Sequence, residues 1–340
     1  MVSISVKDVA ALAGVSIGTV SNVLNRPEKV SQDSARRVKD AIEKLGYVRN
    51  DAARQLRAGR SRSIGLIVLD ASNPFFSDLA RGAETTAAAH GFVVLLGNSA
   101  DIPAREAGYL DLFEQQRVSG VLISPIGDSL SRLERLHDRG IPIVLVDRES
   151  RSPALSSVSV DDVSGGRLAV EHLLSLGRRR IAYIAGPRSI RQVSDRLAGA
   201  QEAVSTSPGA TLEVFDTEAL TVLRGREVGS QIAARPPADR PDGLFCANDL
   251  LAIGVLQALV LLGDVHVPED IALIGYDDID FAATAVIPLS SIRQPSELLG
   301  TTALELLLEE TTGTAPPRPR SLVYQPELIV RASTVSPPPA

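Results

Sequence analysis

Gly14-Val15-Ser16-Ile17-Gly18 fits G-x-S-x-G, the turn that presents a nucleophilic serine in α/β-hydrolases when a strand precedes it. Here the preceding residues Val6, Val9, Ala10 and Ala13 recur at helical spacing, so a helix stands where the strand is needed. Ser16 is then explained as the N-cap of a second helix beginning at Ile17, reached through a tight turn at Gly14. That second helix offers a different chemistry. Val20, Val23 and Leu24 fall on its inner face, which leaves Ile17, Gly18, Thr19, Ser21 and Asn22 outside. An asparagine amide can hydrogen-bond a base edge, an isoleucine can touch a thymine methyl, and threonine or serine hydroxyls can hold phosphate. Asn25, in the turn that follows, and Ser31, the expected cap of a third helix, are counted on the same candidate nucleic-acid surface together with Ser16.

Charge placement supports this reading. The chain as a whole carries a net charge of −6, but its first 62 residues hold twelve Lys or Arg against six Asp or Glu. A net +6 head therefore precedes a net −12 remainder. Arg26, Lys29, Arg36, Arg49, Arg54 and Arg57 supply a sequence-independent attraction to phosphate that salt should weaken. The alternative is a small helical bundle that binds another protein.

Enzyme chemistry finds little support. No G-x-G-x-x-G or G-x-x-x-x-G-K-[ST] follows a strand-like run, and His90, His137, His172 and His266 are scattered without metal-ligand spacing. No catalytic residue, metal ligand or cofactor is expected. Cys246, the single cysteine, has no partner for an intramolecular disulfide.

The elements that must position these side chains follow from periodicity. Three short helices over the first 49 residues can close one small core, with Val38, Ile42 and Leu45 on the third and Gly46 as its stop. Residues 50–61 read as a short hinge helix and linker. Asn50 caps it, and Ala52, Ala53 and Leu56 lie where two copies could pack and wedge a leucine into the minor groove; an ordinary linker is the alternative. From residue 62 the pattern changes to apolar runs separated by helix-length segments: SIGLIVLD, FVVLLGN, GVLISP, IPIVLVD, IAYIAG, LEVFD, GLFCAN and IALIGYD. Such runs imply strands buried on both faces in doubly wound parallel sheets. About 270 residues exceed one core, so two subdomains are expected, with a first break near Val160 to Val163. The tail 335–340, VSPPPA, should be mobile. The N-terminus lacks the apolar run of a secretory signal and no stretch reaches bilayer length, so a cytoplasmic protein without a membrane partner is expected, bound to the nucleoid when on DNA. The same features argue against a binding protein for uptake.

The segments VKDVAALAGVS, GYVRNDAARQLR, SIGLIVLDASNPFFSDLARGAE, CANDLLAIG, IGYDDID and SSIRQP, in this order over nearly the whole chain, resemble the lactose-repressor/galactose-repressor (LacI/GalR) family of transcription regulators. The resemblance implies a homodimeric repressor on a near-palindromic double-stranded operator. It also implies an α/β effector domain shaped like a periplasmic sugar-binding protein, with a small-molecule effector, a sugar or sugar derivative, between its subdomains. It suggests an N-subdomain of about 62–161 and 291–318, and a C-subdomain of about 162–290 and 319–334. Carried over residue by residue, it sets Asn73, Phe75 and Phe76 at the effector cleft, Arg196 on ligand oxygens and Asp277 accepting from ligand hydroxyls, with Gln192 and Asp147 also at cleft positions. Core packing is an equal alternative for Phe76 and a lesser one for Phe75, and of Asn248 and Asp249, which follow a buried strand and could equally cap the next helix, Asn248 is counted as a ligand contact. Leu220 stands where relatives often carry an aromatic residue, which removes a second stacking platform and fits a smaller or less hydroxylated effector.

Overall fold

The computed structural model describes residues 4–47, 61–127, 129–262, 265–312 and 318–335. The chain divides into two compact units, Met1–Arg60 and Ser61–Ala340. In the first, helices α1 (Val6–Ala13), α2 (Ile17–Asn25) and α3 (Gln32–Leu45) surround a core of Val9, Ala10, Ala13, Val20, Val23, Val38, Ala41 and Tyr47. Local chemistry sets each boundary. The Asp8 carboxylate accepts from the Ser5 backbone N–H at 2.8 Å and the Ser5 hydroxyl at 2.7 Å, contacts that hold its pKa below the usual value. Gly14 ends α1 at φ +63°, a conformation that side chains with a Cβ resist. Ser16 Oγ then accepts from the Thr19 N–H at 3.1 Å, and Ser31 Oγ caps α3 by accepting from the Ser34 N–H at 3.3 Å.

The second unit holds two six-stranded sheets, each backing its own lobe. The first runs β11-β5-β4-β3-β1-β2, from β1 (Ser63–Val68), β2 (Val93–Asn98), β3 (Val121–Ile123), β4 (Ile143–Val146), β5 (Ser156–Val160) and β11 (Ser321–Tyr324). The second runs β12-β10-β9-β8-β6-β7, from β6 (Arg180–Ala185), β7 (Thr211–Asp216), β8 (Gly243–Cys246), β9 (Ala272–Asp277), β10 (Ser290–Arg293) and β12 (Glu327–Ile329). All eight apolar runs become strands, yet two are not buried on both faces as expected. β2 and β7 lie at sheet edges, and β2 leaves Val93 and Leu96 more than half exposed. The second sheet is also not wholly parallel, because β12 pairs antiparallel with β10.

The chain passes between lobes three times: between Val160 and Asp162, between Arg293 and Ser296, and between Tyr324 and Glu327. The last two passages correct the boundaries expected at 291 and 319. Ser290–Arg293 pairs with β9 over four residues and Ser321–Tyr324 with β5 over four, so ladder pairing assigns each short segment to the other lobe. Among the described residues, no helix is long and apolar enough to cross a membrane.

Outside the sheets the helices pair through glycine. Gly166 on the helix Asp162–Ser175 and Gly199 on Arg191–Ser205 face each other's backbone, and a Cβ on either would lie within 2.0 Å of the carbonyl oxygen of Arg196 or Val163. Gly225 with Gly254, and Gly82 with Gly300, repeat the arrangement at two further helix pairs. These close approaches set where Gln192 and Arg196 project.

Candidate ligand cavity and nucleic-acid interface

Ligand sites in open α/β sheets collect beyond the carboxyl ends of the strands. The two lobes present those ends to each other, and between them lies a cavity of about 470 Å³. Asn73, Phe75, Phe76, Asp147, Gln192, Arg196, Leu220, Asn248 and Asp277 all line it. Asp147 directly follows β4 and Asp277 ends β9, both at positive φ (+59° and +103°), while Asn248 follows β8.

Arg196 is the centre of the polar network. It is 4% exposed, its Nε donates to Asp162 Oδ1 at 2.7 Å and its Nη1 to the Ala247 carbonyl at 2.5 Å. Nη1 lies 3.9 Å from Asp277 Oδ1, and the guanidinium stacks 3.6 Å above the Tyr276 ring centroid. Burial works against its charge, but Asp162, Tyr276, Asp277 and Asp147 outweigh it and make the arginine more basic than usual. Among the described residues Nη2 has no hydrogen-bond partner. The pKa values of the acids rise as well, but there burial is what raises them. Burial, then the charges of Asp162 and Asp277, pushes the Asp147 carboxyl well above its ordinary pKa, and burial raises Asp277 against the pull of Arg196.

Two of these acids join the lobes. Asn73 Nδ2 donates to Asp277 Oδ2 at 3.0 Å, while its Oδ1 accepts from the Phe75 N–H and caps the helix Pro74–Ala89. Gln192 Nε2 donates to Asp147 at both the carbonyl (2.5 Å) and Oδ2 (2.6 Å). Asn73 and Asp147 belong to the first lobe, Asp277 and Gln192 to the second, so each bond is a latch across the cleft.

Phe75 and Phe76 fill both roles that sequence left open. They pack edge to face, with centroids 5.0 Å apart, in the first lobe's core and also line the cavity. Asn248 likewise caps its helix through Oδ1, accepting from the Leu251 N–H at 2.9 Å, and lines the cavity. Asp249 is buried away from it, accepting from Ser291 Oγ and the Ile279 N–H. Leu220 occupies space that Gly186 leaves open, since a Cβ there would lie 2.5 Å from the leucine Cδ2.

Sequence reasoning missed Asp162, the main partner of Arg196, and Gln294, whose Nε2 donates to Asp277 Oδ1 at 2.8 Å. The available signals were an acid in the VDD segment at the lobe junction and a polar residue directly after a strand. In the first unit, Ser16, Ile17, Asn22, Asn25 and Ser31 are exposed and Thr19 and Ser21 half-buried. Ile17 is half exposed although apolar, while Asn25 Nδ2 turns back to the Ser21 carbonyl at 2.8 Å. Asn50, Ala53 and Leu56, the expected hinge contacts, lie outside the described residues, as does 336–340 of the tail.

Comparison with known proteins places this geometry. Residues 5–50 match the model of bacterial regulatory proteins of the lacI family, and residues 170–334 that of a periplasmic binding protein-like domain. The ribose operon repressor of Bacillus subtilis is 36% identical over 304 residues, 89% of this chain and 90% of that protein. Among solved structures, the lac repressor dimer bound to operator and the anti-inducer ONPF superposes with a TM-score of 0.82 at 28% identity, covering 98% of this chain and 100% of that one. The transcriptional regulator CelR in complex with cellobiose gives 0.68 at 34% identity, covering 97% and 99%.

Proposed function

The chain belongs to the lacI family of bacterial regulatory proteins, a non-enzymatic family of DNA-binding repressors with an effector domain, and on that premise we propose that its effector is a sugar or sugar derivative held between the two lobes. The observation that carries the proposal is the meeting of Arg196 and Asp277 with the seven other candidate effector residues around one cavity of about 470 Å³. Arg196 Nη2 is free to donate to a ligand oxygen, and Asp277 can accept from a hydroxyl. The Phe75–Phe76 pair gives an apolar wall for a sugar face. The cellobiose bound by the similar CelR supports the same class of ligand.

The chain acts, in this reading, as a homodimer in the cytoplasm on a near-palindromic operator, like the dimer of the similar lac repressor on its own operator. Ile17 and Asn22 read bases, Ser16, Thr19, Ser21, Asn25 and Ser31 hold the backbone, and Asn50, Ala53 and Leu56 serve the hinge. The exposed edge residues Val93, Leu95 and Leu96 are apolar surface that a second copy would cover. Closure of the lobes on effector changes the geometry offered to the operator. The test is a thermal-shift screen of sugars and sugar derivatives against the full chain, followed by operator titration with each hit. A ligand that stabilises the protein and alters operator affinity supports the reading. Hits drawn only from outside the sugars overturn it.

A further inference from the structure

We infer that this cavity takes a ligand without an anionic group, one that donates hydroxyl or amino hydrogens to Asp147 and Gln294, and that it rejects phosphorylated and carboxylated compounds. The inference rests on the cavity being the effector site and narrows what that effector is. Among the described residues its wall carries five carboxyl groups, from Asp70, Asp101, Asp147, Glu218 and Asp277, and one cationic side chain, Arg196. That arginine is already compensated, by Asp162 at 2.7 Å and Asp277 at 3.9 Å. An incoming phosphate would therefore meet no spare positive charge and a wall rich in carboxyl oxygens.

Helix N-termini are the other usual anion holders of such folds, because their first amides have no partner within the helix. Three of them open on this cavity and each is capped internally. Asn73 Oδ1 accepts from the Phe75 N–H, Asn248 Oδ1 from the Leu251 N–H and Thr221 Oγ1 from the Arg224 N–H, so side-chain oxygens stand where an anion would bind. A fourth helix, Arg191–Ser205, also reaches the cavity through Ile190 and carries no side-chain cap, but Asp147, which takes the Gln192 side-chain amide, stands beside its first turn.

What the wall lacks is hydrogen-bond donors from outside. Asp147 Oδ1 and Gln294 Oε1 are buried without a partner, on residues only 4% and 3% exposed. The Gln294 amide is oriented by donating Nε2 to the Asp277 carboxylate, which leaves its oxygen as acceptor. A hydroxyl satisfies either oxygen in either protonation state of Asp147, whereas a carboxylate or phosphate oxygen satisfies neither when the carboxyl is ionised.

The test is calorimetric titration of the full chain with matched series: ribose, ribonate and ribose 5-phosphate; glucose, glucosamine, gluconate and glucose 6-phosphate. Inorganic phosphate and the amine agmatine serve as probes that need no sugar. Within any series that binds, we expect the neutral or amino member to bind at least about tenfold tighter than its anionic counterpart. No saturable binding of inorganic phosphate is expected. An anionic member that binds as tightly as its neutral parent, or phosphate binding lost in Arg196→Lys, overturns the inference and leaves a sugar effector standing. Binding of agmatine with silence across all sugars does the reverse. Asp147→Asn supplies a check on the cause, since asparagine tolerates the φ of +59° found there. The preference for neutral over phosphorylated ligand should shrink several-fold in that variant, and an unchanged preference counts against the inference.

Discussion

Asp147 illustrates how a single carboxyl can be held against its own solvation. Burial, Asp162 and Asp277 favour its protonated form, and Arg196 and Gln192 oppose them. An acid whose folded pKa lies above its ordinary value of 3.8 binds more protons in the folded protein, so its contribution to stability falls as pH rises toward that raised pKa. Asp147→Asn removes this penalty. The variant should melt above the parent at pH 8, with the gap narrowing as pH is lowered toward the ordinary value of 3.8. A thermal-shift series over that range checks it, and a gap independent of pH would count against the buried charge as its source. His172, whose pKa burial lowers, acts in the opposite direction but is common to both proteins and cancels. Arg196→Ala should be harsher than the loss of a ligand contact implies, because it strands Asp162 and Asp277 without their cation. A loss of about 3–5 kcal/mol in the stability of the lobes is expected, together with loss of effector binding. Calorimetry showing normal effector affinity in a folded variant would falsify the role given to Arg196.

At the scale of elements, much was legible because the signals were local. Ser16, Ser31, Gly14 and Gly46 mark helix ends by their own chemistry, and all eight uninterrupted apolar runs form strands. The strands that sequence did not reveal, β5, β10, β11 and β12, are short or rich in serine. Ser156, Ser157, Ser290 and Ser291 are buried by pairing and hydrogen bonding rather than by apolar character. The glycine-mediated helix pairs were equally hidden, since a glycine inside a helix reads as weakness until the facing backbone is known. Gly199→Ala tests their part in the site. Its Cβ would lie 1.9 Å from the Val163 carbonyl oxygen and 2.7 Å from the Arg167 nitrogen, both backbone atoms that cannot rotate aside. The helix bearing Gln192 and Arg196 must shift, which should cost about 1–3 kcal/mol and weaken effector binding with it. Gly108→Ala, with open space around the new methyl, should be neutral or slightly stabilising. Equal melting temperatures for the two variants would contradict this account. In the first unit, Ser16→Ala removes a cap worth about 1 kcal/mol and should lower operator affinity several-fold in a gel-shift titration, while the melting of the lobes stays unchanged.

At the scale of the whole molecule, the site depends on contacts that no sequence window contains. Asn73 and Asp277 are 204 residues apart and Gln192 and Asp147 are 45 apart, yet both pairs bond one lobe to the other at the cavity. The resemblance of short motifs brought these four residues forward as cavity residues. It carried no sign that they bond to each other, because a latch is a property of closure and not of either motif. That distinction yields a prediction about regulation. If effector and operator act through one closure equilibrium, saturating effector must change operator affinity by the same factor as saturating operator changes effector affinity, typically about 5- to 150-fold. Gln192→Ala removes one latch while leaving the Arg196 network in place, so it lowers the stability of the closed arrangement that both ligands sense. The two factors should remain equal to each other in the variant and both should move away from their parental value. Calorimetry of effector binding with and without operator, paired with anisotropy of labelled operator with and without effector, measures all four affinities. Equality of the two factors checks that all four affinities are equilibrium values, and factors that match but do not move would show that the Gln192–Asp147 bond is not part of the switch.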